Sequence, residues 1–326
     1  MRRVAVIGAG LAGLSCAQGL RAQGWDVTVF EKSRGPGGRL STRRVELAQY
    51  DHGAQYFTAR DQRFADFIEQ RLADASVAVW RPSMVKAVDE TWYVGTPGMS
   101  ALGRAQARDL DLRTEMRVSG LVRSQEHWSV RIEDGQAFEG FDAVVVAVPN
   151  EQAVPLLQPH APVWADALKR TPLQPCWTLM FSTTDRLTDF DAGSPDNSPV
   201  GWWARNSSKP ARPVQAGRHD WVVQAQSDWT AMHVDSDKAV VAQALLDAFA
   251  QVIGAAAIEP IESPMVHRWL YARRTPGLPV LDEPWWQPEI GLGVCGDGLS
   301  HSRVEQAYLS ARHLADTMIQ SISSSE

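Results

Sequence analysis

Lysine is the scarcest charge in this chain. Lys32, Lys86, Lys169, Lys209 and Lys238 are five among 32 basic residues, so arginine carries most of the positive charge. The formal net charge is −6, and no lysine–arginine block occurs, which leaves no electrostatic footprint for nucleic acid. No lysine follows Lys238. Cysteine is also sparse. The three cysteines, Cys16, Cys176 and Cys295, are odd in number and apolar in setting, which predicts reduced thiols and a cytoplasmic protein. No apolar run approaches the ~20 residues of a membrane span. The start, Met1-Arg2-Arg3 and an apolar run, resembles a secretion signal, but that run carries a glycine turn and continues into Glu31-Lys32, so it reads as mature protein. His52, His219, His233, His267 and His301 show no metal-ligand spacing, and no G-x-S-x-G nucleophile elbow is present. There is no internal repeat, and only Ser321 to Glu326 reads as a frayed tail.

What the chain does have is concentrated between Val4 and Arg39. Gly8, Gly10 and Gly13 form G-x-G-x-x-G directly after the apolar strand Val4-Ala5-Val6-Ile7. The first glycine permits a tight turn, the second lets a pyrophosphate approach the backbone, and the third lets helix and strand pack closely. The phosphates then meet the unpaired N–H groups of a helix N-terminus. Glu31 closes a second strand about 20 residues on, where a carboxylate accepts ribose hydroxyls and repels a 2′-phosphate. This motif predicts a bound dinucleotide and leaves open whether it is NAD or FAD.

Further along, helical spacing covers Asp61 to Ala73 and Pro97 to Ala107, and Leu110 to Arg123 alternates as a strand. Trp128 to Ile132 and Gln136 to Phe138 flank Asp134-Gly135 as a hairpin, and Asp142 to Pro149 reads as a strand buried in a parallel sheet. From about Pro155 prolines and tryptophans become frequent, with strands at Trp177–Ser182, Val200–Ala204, Trp221–Gln226 and Pro264–Ala272. One amphipathic helix, Asp237 to Ile253, follows the capping candidates Asp235 and Ser236. Ile290 to Cys295 and a helix from Arg303 to Ile322 return to the opening character. The expected fold is α/β: a discontinuous Rossmann-like dinucleotide-binding domain (1–58, 98–152, 288–326) with an inserted α+β substrate domain (59–97, 153–287) on a mainly antiparallel sheet.

The segment from Glu31 to Arg39, with its Gly37-Gly38-Arg39, resembles the second fingerprint of flavin-containing amine oxidases and their relatives. The resemblance implies noncovalent FAD, with Glu31 at the ribose, Lys32 among the cofactor-binding residues, and Gly37, Gly38 and Arg39 at the pyrophosphate. It further implies that Gln55, Tyr56 and Phe57 lie along the isoalloxazine, that Val118 meets the adenine, and that Asp297 bonds the ribityl or phosphate region. The helix N-terminus near Val304 and Glu305 would face the flavin N1 and C2 carbonyl, where negative charge develops on reduction. The small size and the segments DHGAQYFTAR, PGMSALGRAQA, HRWLYAR and CGDGL resemble bacterial renalase-like proteins of that superfamily. That resemblance implies oxidation of 2- and 6-dihydro isomers of NAD(P)H, with oxygen as electron acceptor.

Such chemistry needs no strong base, because the product is an aromatic cation; it needs a flat pocket that positions one ring carbon against the flavin. Nine of the thirteen tryptophans fall between Pro155 and Pro288, and Trp203 and Trp269 are the expected pocket residues, with Tyr56 beside them. His267 is expected to bond a nicotinamide carboxamide and Arg268 a substrate phosphate. Two other readings stand beside this one. Oxidation of a small amine or polyamine is disfavoured by the absence of a lysine in the place where many amine oxidases hold one. The other is a non-catalytic FAD- or NAD-binding protein. Oligomeric state is left open.

Overall fold

The computed structural model describes residues 2–86, 89–124, 126–281 and 285–323. The chain opens with β1 (Arg3–Ile7), α1 (Leu11–Arg21) and β2 (Asp26–Phe30), then a short hairpin of β3 (Thr42–Arg44) and β4 (Gln49–Asp51). Helix α2 (Gln62–Ala73), strands β5 (Val77–Trp80) and β6 (Trp92–Gly95), and helix α3 (Ser100–Gln106) follow. Next come β7 (Asp111–Arg113), β8 (Val118–Arg123), β9 (Trp128–Ile132), β10 (Ala137–Phe141) and β11 (Ala143–Val146). Helices α4 (Asn150–Leu157) and α5 (Pro162–Lys169) lead to β12 (Leu173–Thr183), β13 (Ala192–Gly193), β14 (Val200–Arg205) and β15 (His219–Ala225). The chain ends with α6 (Ser227–Met232), α7 (Lys238–Ile253), β16 (Met265–Arg274), β17 (Trp286–Gln287), β18 (Leu292–Val294) and α8 (Val304–Ser323).

The largest sheet has the order β17-β18-β11-β1-β2-β7, parallel throughout except for β17. Its central strands are apolar without interruption because both faces are covered. Val4, Val6, Val27, Val29 and Val145 pack against α1 and α8 through Leu14, Leu20, Leu314 and Met318. The alternate residues Ala5, Ile7, Phe30, Val144 and Val146 face Trp128 and Val130 of the three-stranded sheet β8–β10. Both ends of the chain thus build one sheet, the Rossmann-like architecture expected.

The strand expected over Leu110 to Arg123 is two strands. Glu115 adopts φ 60°, and the next amide, of Met116, bonds back to the Glu31 carbonyl at 2.9 Å. That turn sends β7 into the parallel sheet and β8 into the antiparallel one.

The substrate lobe is a five-stranded antiparallel sheet, ordered β13-β14-β15-β12-β16. One face packs on α7, through Trp177, Leu179, Phe181, Trp203, Trp221 and Val223 against Leu245 and Phe249. The cap of α7 is Asp237, whose carboxylate accepts the Ala239 amide at 2.8 Å, rather than Asp235 or Ser236. Among the described residues no helix is long and apolar enough to cross a membrane.

Candidate active site

The two glycine fingerprints lie side by side. Gly37 N donates to the Ala9 carbonyl at 2.8 Å, and Gly10 and Gly37 form a bridge. Gly8 has φ 105°, and a Cβ there would meet the Ala147 carbonyl oxygen at 2.7 Å. A Cβ on Gly13 would lie 1.9 Å from the Gly8 carbonyl oxygen, so helix and strand approach as the motif requires. Gly13 therefore acts from behind the turn and does not reach the cavity wall. Gly10 differs: a Cβ there would meet nothing within 4 Å, and the residue lines a cavity of about 1620 Å³.

Glu31 is buried at the rim of this cavity. Its two carboxylate oxygens accept the Ala9 amide at 2.9 Å and the Ser33 amide at 2.8 Å. A carboxylate has about four acceptor sites, so two remain for ribose hydroxyls. Lys32 donates to Gln152 at 3.1 Å, and burial and the charge of Arg117 lower its pKa. Val118 lines the same end. From the far end of the chain, Asp297 meets Arg39: Nη2 to Oδ1 is 2.5 Å and Nη1 to Oδ2 is 3.0 Å, while Arg39 also donates to the Ala272 carbonyl at 3.0 Å. The residue expected at the pyrophosphate and the acid expected near the ribityl chain thus hold one another across the two chain ends. Gly38, Val304 and Glu305 line the cavity too, and Glu305 accepts the Arg60 and Asp61 amides at 2.6 and 2.8 Å.

These residues fit a flavin dinucleotide. The open space over Gly10, the free acceptor sites of Glu31 and a volume above the roughly 300–1,000 Å³ of an ordinary ligand pocket leave room for FAD and a substrate.

Gln55, Tyr56 and Phe57 occupy the wall between the lobes. They follow Asp51, a carboxylate with no solvent exposure that binds Arg212 (Nη2 at 2.5 Å, Nε at 3.1 Å), Lys209 (3.4 Å), the Thr42 hydroxyl (2.8 Å) and the Met99 amide (2.9 Å). Burial alone would raise the Asp51 pKa; the Lys209 and Arg212 charges outweigh it and hold the carboxyl at about 2. Lys209 is lowered to about 8 by burial, against the pull of Asp51. Its ammonium also donates to Gln55 Oε1 at 3.1 Å, while Gln55 Nε2 bonds the carbonyls of Asp51 and Gly53. A lysine therefore braces the Gly53–Phe57 segment from behind, without lining the cavity. Tyr56 stacks on Trp92 at 3.8 Å between centroids and lies 5.3 Å from Trp202.

The substrate sheet closes the opposite side. Side chains alternate across a strand, so Trp269, His267 and Arg273 of β16, with Gln224 of β15 and Trp202 of β14, face the cavity. Trp203, expected in the pocket, faces the other way, at 5.4 Å from Phe249 and 6.2 Å from Trp221 in the α7 core. Arg268 also turns away: its guanidinium bonds Asp235 at 3.0 Å and the Val234 carbonyl, over the Trp177 ring. Arg273 takes the cavity side instead and donates to Gln224 at 3.0 Å.

His267 does not stand alone. His52 lies 4.8 Å from it edge-on and stacks on Trp269 at 5.3 Å, whose indole N–H donates to the His52 carbonyl at 2.8 Å. Burial, then the neighbouring His267 and Arg43, push the His52 pKa down to about 3; burial and Arg43 push His267 down to about 4. Both imidazoles are neutral at physiological pH, and His52 Nδ1 is buried with no hydrogen-bond partner. Sequence reasoning placed His267 and Trp269 together but missed His52, Trp202, Arg43 and Arg273.

A Rossmann-like sheet joined to an antiparallel substrate sheet, with a dinucleotide cradle and an aromatic chamber between them, defines a flavin-dependent oxidoreductase. A family model for an NAD(P)-binding Rossmann-like domain matches residues 6–71, and one for flavin containing amine oxidoreductases matches residues 73–319. The chain belongs to the flavin containing amine oxidoreductase family; it is an enzyme, and its cofactor is FAD. The zeta-carotene-forming phytoene desaturase of Myxococcus xanthus is 50% identical over 52 residues, 16% of this chain and 10% of that protein. The hydroxyneurosporene desaturase of Rubrivivax gelatinosus is 47% identical over 66 residues, 19% of this chain and 13% of its own length. The chain thus matches only about a tenth of the length of these curated relatives. Among solved structures, cyclohexylamine oxidase from Brevibacterium oxydans IH-35A superposes with TM-score 0.76 at 13% identity, covering 99% of both chains. An oxidoreductase from Methanosarcina mazei superposes with TM-score 0.73 at 13% identity, over 96% of this chain and 100% of that one. At such identity the likeness is one of fold.

Proposed function

We propose that this enzyme oxidises 2- and 6-dihydro isomers of NAD(P)H, in the manner of renalase-like proteins. The observation that carries the reading is the character of the chamber: two neutral imidazoles, aromatic rings and arginines. Among the described residues, no cavity-lining side chain from β12, β14, β15 or β16 is acidic. A dihydropyridine needs flat walls, hydrogen-bonding groups for its carboxamide and tolerance of phosphate. A cationic amine would call for carboxylates, and most of the cavity's acids are engaged: Asp297 with Arg39, Glu90 with Arg60, and Glu305 and Glu31 each with two backbone amides, while Glu151 spends one oxygen on the Leu173 amide.

FAD would be held noncovalently by Gly8, Gly10, Glu31, Lys32, Gly38, Arg39, Val118, Asp297 and Val304, which line the cavity, and would supply a two-electron acceptor for the ring's hydride, with oxygen as the final acceptor. Tyr56 and Trp202, tilted by 45° at 5.3 Å, and Trp269, stacked on His52, supply aromatic faces against which the ring packs. His52 and His267 stay uncharged beside it, so no positive imidazole opposes formation of the cationic product. His52 and His267 both line the cavity and offer ring nitrogens to the carboxamide.

The test is anaerobic mixing of the FAD-loaded protein with each dihydro-NAD(P) isomer while its visible absorbance is followed. Rapid bleaching, and peroxide on admitting air, is the expected result. Bleaching by small amines or polyamines, with none by the isomers, would overturn the proposal in favour of amine oxidation.

A further inference from the structure

Arg43 is the feature of the chamber that the site so far leaves unexplained. Strand β3 presents Thr42 to the buried Asp51 and to Ser100, and Arg44 also reaches the Ser100 hydroxyl, at 3.4 Å. Arg43, between them on the strand, lines the cavity and makes none of those bonds. Of the other arginines lining the cavity, Arg39 has Asp297, Arg60 has Glu90 and Arg273 has Gln224, whereas Arg34 and Arg303, like Arg43, have no side-chain partner among the described residues. Arg43 is half-buried, its Nε is buried with no hydrogen-bond partner, and no carboxylate pairs with it among the described residues. Its charge reaches both chamber imidazoles, since it disfavours protonation of His52 and His267 alike. A half-buried guanidinium with donors that no protein group engages, beside neutral rings, is a site for an oxyanion, which it binds by charge-assisted, fork-shaped hydrogen bonds.

We propose that Arg43 anchors a phosphoryl group of the substrate and sets the preference for phosphorylated over uncharged heteroaromatic rings. The proposal rests on the dihydronicotinamide reading for the identity of the ring, and on the geometry alone for the anion. Arg43 is then a specificity-determining residue at the entrance to the flat chamber, separate from the arginine that serves the cofactor.

The experiment uses FAD-saturated wild-type protein, Arg43→Met and Arg43→Lys, with folding of each variant checked by near-ultraviolet circular dichroism. Calorimetric titrations use oxidised nicotinamide mononucleotide, oxidised nicotinamide riboside and inorganic pyrophosphate. The expected result is that wild type binds the mononucleotide more tightly than the riboside. Arg43→Met should lose about tenfold to a hundredfold of mononucleotide affinity, lose pyrophosphate binding and leave riboside binding unchanged. Arg43→Lys should recover part of the loss, because it keeps charge without the fork. If Arg43→Met keeps wild-type affinity for mononucleotide and pyrophosphate, the anchor is wrong, even when dihydro isomers bleach the flavin. If pyrophosphate binding depends on Arg43 but no dihydronicotinamide reduces the flavin, the anion site stands and the nicotinamide reading falls. A wild type that binds neither pyrophosphate nor the mononucleotide overturns the anchor outright.

Discussion

Replacing Asp51 by Asn should be among the most damaging single-atom changes available to this protein. The carboxylate is fully buried between Lys209 and Arg212, both buried too. Holding its pKa at about 2 against an ordinary 3.8 corresponds to roughly 2–3 kcal/mol in favour of the ionised form. The amide removes that charge and leaves two cations facing each other without compensation, so the expected loss is about 3–5 kcal/mol. Part of the damage is local to the site, because Lys209 also holds Gln55 and so the segment that carries Tyr56 and Phe57. The assay is urea unfolding at neutral pH with FAD in fixed excess, followed by tryptophan fluorescence, together with FAD retention on gel filtration. The double variant Asp51→Asn with Lys209→Met should recover stability relative to Asp51→Asn alone, since one orphaned cation is gone. Wild-type stability in Asp51→Asn, or no recovery in the double variant, would refute the argument that the pair is a coupled buried charge set. The same carboxyl predicts acid sensitivity: its pKa is depressed on folding, so its contribution is present above 3.8 and is lost as pH falls toward 2.

The adjacent tryptophans of β14 should separate stability from function. Trp203→Ala should cost about 3–5 kcal/mol in unfolding experiments through the cavity it leaves against Phe249 and Trp221, whereas Trp202→Phe should raise KM for the substrate with an unfolding midpoint close to wild type; the reverse pattern would show that the two rings have been assigned to the wrong faces. The chamber imidazoles make a pH prediction. Their pKa values fall on folding from 6.5 to about 3 for His52 and about 4 for His267, so the unfolded chain takes up protons first and stability declines as pH drops below 6.5. Denaturant midpoints measured down a pH series should show that decline, and a His52→Asn, His267→Asn double variant should flatten it; an unchanged slope in the variant would place the titration elsewhere.

What could be read from the sequence was whatever the backbone demands locally. Gly8 at φ 105°, the 1.9 Å clearance at Gly13 and the acid at Glu31 are needs of one turn and one strand, so a motif records them. The Arg39–Asp297 link was legible only as two separate motifs, because the chain separates them by 258 residues. The substrate end is different in kind. His52 stands in the quoted DHGAQYFTAR segment, but its chemistry comes from His267 and Trp269 on a strand more than 200 residues away. Lys209 carries no motif at all; its meaning arises from Asp51 and Gln55.

Trp203 shows most clearly why the chamber resisted reading. Regular alternation from Val200, which lies in the α7 core, would bury Trp202 and expose Trp203 to the opposite face. The structure has it the other way round: Val200 and Trp203 share the α7 core, and Trp202 lines the cavity. The pairing of β14 with β15 shifts register between Val200 and Trp202, so an extra residue at Gly201 reverses the faces beyond it. A Cβ at Gly201 would come within 3.1 Å of the Gln226 side chain. In β16, where Val266, His267, Arg268 and Trp269 alternate without interruption, the same parity argument does place His267 and Trp269 together and turns the Arg268 guanidinium over Trp177, with Asp235 and the Val234 carbonyl. One inserted residue therefore decides which of two adjacent tryptophans meets the substrate, and it leaves the composition of the strand, the only thing a motif can see, unchanged.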